Sequence, residues 1–149
     1  MNQPTLPFSV QRLDHVVLRV SDLSRAITFY AQVLGCELVQ RNEGRGLVHL
    51  RAGASMIDLV DIHGPIGQQG GAAAAVSDGR NMDHFCLRIS PFDEAAVLAH
   101  LAQHEVPRSS HAKQQFGAEG TGPAVYLQDP DGNTIELKGE ATAAVGDMR

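Results

Sequence analysis

The chain has 149 residues, 43% of them apolar and 19% charged, with a net charge of -5 at pH 7. A chain of that size buries roughly two-thirds of its unfolded surface without a disulfide staple, the composition excludes wholesale disorder, and the acidic balance without a basic run excludes a nucleic-acid partner. Residues 1–10 lack the charged and apolar regions of a leader, no stretch is apolar enough to span a bilayer, and Cys36 and Cys86 stand far apart. No membrane association is therefore expected, and a cytoplasmic protein with two reduced thiols is.

The first periodic segment is "LDHVVLRV" (13–20), in which Val16, Leu18 and Val20 alternate with His15, Val17 and Arg19. Alternation at period two predicts a strand with an aliphatic face and an open face carrying the histidine and the arginine. "SDLSRAITFYAQVLG" (21–35) follows, with Leu23, Ala26, Ile27, Tyr30 and Leu34 at helical spacing, Ser21 or Asp22 as N-cap and Gly35 as stop. Strands are predicted over 37–41, 46–51 and 56–62, separated by "NEGRG" and "AGAS". The Gly- and Ala-rich stretch 63–81 has little periodicity and reads as a connector.

The pattern then repeats. "MDHFCLRI" (82–89) matches the first strand at its Asp, His, Leu and Arg, placing Phe85, Leu87 and Ile89 on the aliphatic face and His84, Cys86 and Arg88 on the open one. A second helix is predicted after Ser90 as N-cap and Pro91 at the first helical position, with Asp93 completing a capping box and Pro107 beyond its end. Strands are predicted over 106–110, 124–128 and 134–138, the last two joined by the tight turn "DPDGN" (129–133). The fold class is therefore α+β: two βαβββ modules in tandem, forming a cup-shaped mixed β-sheet with flanking helices. One domain spans 8–139, with a first module at 13–62, the connector at 63–81, a second module at 82–139, and tails at 1–7 and 140–149.

Laying "SMIDLVDI" (55–62) over "NTIELKGE" (133–140) sets Asp58 opposite Glu136, so a pseudo-twofold axis would gather His15, Asp58, His84 and Glu136. Two imidazoles and two carboxylates suit one divalent ion, Zn, Ni, Mn, Co or Fe(II), with positions left open for a substrate oxygen. Asp58, one methylene shorter than Glu136, either ligates directly or acts through a water. Arg19 and Arg88 face the same concavity, where each either grips an anionic substrate group or forms an ion pair with Asp14, Asp83 or an opposing carboxylate. The stretch 109–122 reads as a long loop able to close over the pocket, and His111 within it is the one further histidine able to reach the site. His49, His63, His100 and His104 are expected in loops or on exposed helix faces.

The stretches 13–35, 82–89 and "VYLQDPDGNTIELKG" (125–139) resemble the vicinal oxygen chelate superfamily, which includes glyoxalase I, extradiol dioxygenases, fosfomycin resistance enzymes and bleomycin resistance proteins. The resemblance implies ligands from the first and last strands of each module, here His15, Asp58, His84 and Glu136, and a homodimer. Glyoxalases usually carry Glu where this chain has Asp58. The resemblance also implies contact between Arg19 and a substrate carboxylate, and it gives Tyr126, ten residues before Glu136, a counterpart in the dioxygenases. The leading expectation is a metal-dependent lyase or isomerase of glyoxalase type that acts on a small carbonyl compound, possibly a thiol adduct, with Glu136 or Asp58 as base. The alternatives are an Fe(II) extradiol-type dioxygenase, a fosfomycin-modifying thiol transferase, and a non-catalytic drug binder of bleomycin-resistance type.

Overall fold

The computed structural model describes residues 6–73 and 79–144. Part of the expected connector (74–78) and the ends of both tails (1–5 and 145–149) lie outside the described residues. The first half runs β1 (His15–Val20), α1 (Leu23–Gln32), β2 (Glu37–Asn42), β3 (Leu47–Ala52) and β4 (Ser55–Asp61). The second runs β5 (Phe85–Arg88), α2 (Glu94–Gln103), β6 (Lys113–Gly117), β7 (Gly120–Gln128), β8 (Thr134–Lys138) and β9 (Ala143–Ala144).

Each half folds into a mixed sheet with matching order, β1-β4-β3-β2 and β5-β8-β7-β6. β1 pairs parallel with β4, and β5 with β8. Parallel partners cannot be joined by a tight turn, so in each module the chain crosses over through a helix and two further strands before returning. Alternation fixes the faces. Leu18 and Val20 on β1, Val48 and Leu50 on β3, and Ile57 and Leu59 on β4 are all buried, and they pack in one core with Leu101, Val125, Leu127 and Ile135 of the second half. Each such side chain withdrawn from water contributes roughly 1.5–3 kcal/mol.

What fastens the halves is the turn "DPDGN". Asp129, itself buried, accepts from the Tyr30 hydroxyl at 2.7 Å, from the Asp131 and Asn133 amides at 2.9 and 2.8 Å, and from the Asn133 side chain at 2.9 Å. Asp131 in turn accepts from the backbone N–H and the hydroxyl of Ser21, at 3.0 and 2.6 Å. Arg25 donates to the Pro130 carbonyl at 3.3 Å. Gly132 takes a φ of 79°, which lets the turn close without a Cβ clash. Because Ser21 is engaged there, Asp22 is left as the N-cap of α1, accepting from the Arg25 amide at 3.0 Å. A second tie links the helices, where His100 Nε2 lies 2.8 Å from the Val33 carbonyl.

Several expectations are corrected. Residues 106–110 do not form a strand: only Arg108 makes an isolated bridge, to Leu127. The edge strand lies instead at Lys113–Gly117, within the stretch read as a long loop, and it forms a hairpin with β7 in which Gly117 faces Gly120. The proposed closing loop 109–122 is therefore largely sheet. β7 begins before Pro123 because a proline forfeits only its own ladder N–H, while its carbonyl still accepts from Gly139 at 2.8 Å. Asp93, not Ser90, caps α2, and Pro91 precedes the helix rather than opening it. Residues 143 and 144, assigned to a tail, pair with Thr121 and Gly120 of β7.

Candidate functional site

The open face of each sheet repeats one arrangement. In the second module His84, just before β5, lies with its Nε2 3.7 Å from Glu136 Oε2 on β8. Its Nδ1 meets Asp83 at 2.6 Å, so the acidic neighbour holds the ring and presents Nε2 to the face. The Tyr126 hydroxyl, on β7 directly across from Glu136, donates to Oε1 at 3.0 Å, and its ring meets His84 edge-on at 5.6 Å. Burial, followed by this bond to Glu136, pushes the Tyr126 hydroxyl up to about 12, so it remains a donor at neutral pH. Cys86 also lies beside Glu136, and burial together with that carboxylate pushes its thiol up to about 12. A thiol so protonated is a poor nucleophile.

The first module matches this with different residue types. His15 Nδ1 meets Asp14 at 2.8 Å, a contact that raises the histidine above its ordinary value. Asp58 on β4 is 5% exposed and stands opposite His49 on β3. His49 Nδ1 approaches Asp58 Oδ1 to 2.9 Å, off the axis a hydrogen bond needs, and Oδ1 is buried without a hydrogen-bond partner. His49, expected in a loop or on a helix, is thus a strand residue on the open face. Flanking Val48 and Leu50 point to the core, so period-two alternation was the signal that could have placed it there.

His15 and Asp58 belong to one sheet, and Glu136, with His84 just before β5, to the other. Among the described residues, no three His, Cys, Asp or Glu side chains converge as a group that could hold a metal ion. A cleft of about 370 Å³ does open where the modules meet, lined in part by Val17, Arg19, Arg80 and Met82, but none of His15, Asp58, His84 and Glu136 borders it. The chemistry therefore follows the paired side chains rather than that hollow.

Both arginines are committed elsewhere. Arg19 donates through Nε to the Gly67 carbonyl at 3.1 Å and through its other nitrogens to the carbonyls of Gly71 and Ala72, clasping the start of the connector. A Cβ at Gly70 would collide with this guanidinium, so the clasp needs glycine there. Arg88 pairs with Glu119 at 3.1 Å and Glu140 at 3.4 Å, not with Asp14 or Asp83. The charge of Arg88 is thus offset by two carboxylates, whereas Arg19, held by neutral carbonyls, keeps its net charge at the edge of the cleft. A cation that sequence reading passed over is Lys138, two residues beyond Glu136 on β8 and on the same face, 4% exposed. The same alternation that placed Glu136 would have found it. Among the described residues no helix is long and apolar enough to cross a membrane.

Comparison with known proteins bears on the family and the fold. Residues 12–137 match the model of the Glyoxalase/Bleomycin resistance protein/Dioxygenase superfamily. Virulence protein STM3117 of Salmonella typhimurium is 31% identical over 128 residues, covering 86% of this chain and 83% of that protein. Its crystal structure superposes with a TM-score of 0.70 over 90% of this chain and all of that one. Glyoxalase domain-containing protein RDO1 of Mycosarcoma maydis is 33% identical over 87% of this chain and 68% of its own. The crystal structure of lactoylglutathione lyase from Agrobacterium tumefaciens superposes with a TM-score of 0.61 and 25% identity, over 89% of this chain and 95% of that one.

Proposed function

We propose that this chain, which belongs to the Glyoxalase/Bleomycin resistance protein/Dioxygenase superfamily, is a metal-dependent lyase or isomerase of glyoxalase type working as a homodimer. The observation that carries the reading is the His84, Glu136 and Tyr126 cluster, an imidazole oriented by Asp83 beside a buried carboxylate that is itself held by a tyrosine. The orphaned Asp58 Oδ1 adds a second buried carboxylate oxygen in want of a partner. The donor set fits a divalent ion of the Zn, Ni, Mn, Co or Fe(II) group: His15, His84 and Glu136 would hold it, with Asp58 beside it. When bound, such an ion supplies Lewis-acid polarisation of a substrate carbonyl oxygen.

The protein's own groups do the rest. Asp58, whose Oδ1 carries no competing hydrogen bond, removes the proton from the carbon next to the carbonyl and returns it at the neighbouring carbon. Tyr126 keeps Glu136 fixed in one orientation. His49, its Nδ1 2.9 Å from Asp58 Oδ1, stands beside the base on the neighbouring strand.

A second copy of the chain supplies the missing half of each site, setting the first module of one chain against the second of its partner. Uncovered apolar surface supports this. Val17 on the open face is 50% exposed, Phe116 61%, and the N-terminal segment presents Phe8, Val10 and Leu13 to solvent. The test is direct: purified protein is assayed with hemithioacetals in the presence of each divalent ion, alongside light scattering. Turnover by a dimer is the expected result, and a monomer without turnover for any ion overturns the proposal. The Tyr126 hydroxyl at Glu136 also favours a second reading, ring cleavage of a catechol with Fe(II), which oxygen uptake would reveal.

A further inference from the structure

The open face of the second module carries two cations side by side, since Arg88 on β5 is the register partner of Lys138 on β8. They are in opposite situations. Arg88 is neutralised by Glu119 and Glu140. Lys138 is 4% exposed and makes no hydrogen bond or ion pair among the described residues. Its stem is buried while its Nζ is not among the buried unpartnered atoms of the described residues, so the tip of the chain keeps contact with solvent and carries a charge that no carboxylate offsets. The neighbouring strand makes room for the side chain. Lys138 reaches toward Gly117 on β6, where an added Cβ would come within 3.0 Å of its Cε and 3.5 Å of its Nζ. A Cβ at 117 would press on the Cε and Cδ methylenes that carry the ammonium, and glycine leaves that space open.

Resting on the functional reading above, we propose that Lys138 is the docking point for an oxyanionic group of the substrate, a role that its neighbour Arg88, already paired with Glu119 and Glu140, does not fill. Lys138 and Glu136 stand two residues apart on one strand, so their side chains emerge roughly 7 Å from each other at a strand rise of about 3.3 Å per residue. A molecule that reaches both the carboxylate cluster and the ammonium is therefore small, with its anionic end a few bonds from the reacting carbonyl. The charge on Lys138 fixes which end of the molecule enters first, and Gly117 sets how bulky that end can be.

The chain contains only two lysines, Lys113 and Lys138, and Lys113 is exposed, which makes the test clean. The ¹⁵Nζ signals of the full-length, metal-free protein are followed while inorganic phosphate or malonate is added. The Lys138 signal is expected to shift saturably while Lys113 stays still, and the probe that binds more tightly tells a phosphorylated substrate from a carboxylate one. Lys138→Gln should weaken that binding at least tenfold, and Lys138→Arg should retain most of it. An unmoved Lys138 signal with both probes, or equal affinity in Lys138→Gln, overturns the proposal. The measurement needs no turnover and no metal, so its failure is distinct from that of the enzyme reading. Substitution at Gly117 provides the second arm: Gly117→Val should displace the ammonium and weaken binding with Lys138 intact.

Discussion

Asp58 and Glu136 occupy equivalent places in two copies of one module, each on the last strand of its βαβββ unit and each facing an aromatic side chain across the sheet. Yet the first carboxylate is short, faces a histidine and keeps one oxygen without a hydrogen bond, whereas the second is longer, faces a tyrosine that donates to it, and has a lysine two residues along. The hairpins that lead into these strands differ as well. "AGAS" merely reverses the chain, while "DPDGN" spends every polar atom of Asp129 on closing itself and reaching α1. The two modules share a scaffold and differ in what it carries. On the proposed function, the first module provides the base and the second the ligand and the substrate grip, while the second also holds the joint to α1.

The comparison breaks most visibly at the carboxylates. Glu136→Gln should abolish both metal retention and turnover, whereas Asp58→Asn should keep the metal and lose at least a hundredfold in kcat; elemental analysis beside steady-state kinetics separates them. Should both variants lose metal equally, the division of roles is wrong. Next in size is the joint: Asp129→Ala strips partners from Tyr30 and from the turn amides at once and should cost about 3 kcal/mol in urea unfolding, whereas Ser55→Ala in the first module's hairpin should cost under about 0.5 kcal/mol. Tyr126→Phe removes one bond to Glu136 and should lower kcat by about tenfold with little change in metal content. The smallest effect concerns protons. The Asp14 carboxylate favours protonated His15 and so raises its midpoint; Asp14→Asn should move that midpoint down, as an NMR pH titration of the imidazole would record.

The repeated module, both helices and seven of the eight predicted strands were legible because aliphatic alternation and helical spacing are local signals carried by Val, Leu and Ile. β6 was not, since "KQQFG" has no aliphatic face and owes its place to backbone pairing with β7. The commitments of Arg19 were hidden for a related reason: its partners are the carbonyls of Gly67, Gly71 and Ala72, which no side-chain pattern announces. Asp129 and Asp131 announced a turn, but their grip on Tyr30 and Ser21 spans about a hundred positions of sequence. His49 and Lys138 are of another kind. Both sit at positions where strand periodicity already pointed inward, and only the search for a repeated ligand set drew attention past them.

That the turn at 129–133 grips α1 has a practical corollary. The second half recognises the first through Tyr30, Ser21 and Arg25, none of which depends on the covalent path between them. A single backbone nick in the connector should leave two fragments that reassemble when co-expressed, and new termini placed there should be tolerated. The molecule is in effect a heterodimer that happens to be encoded as one polypeptide.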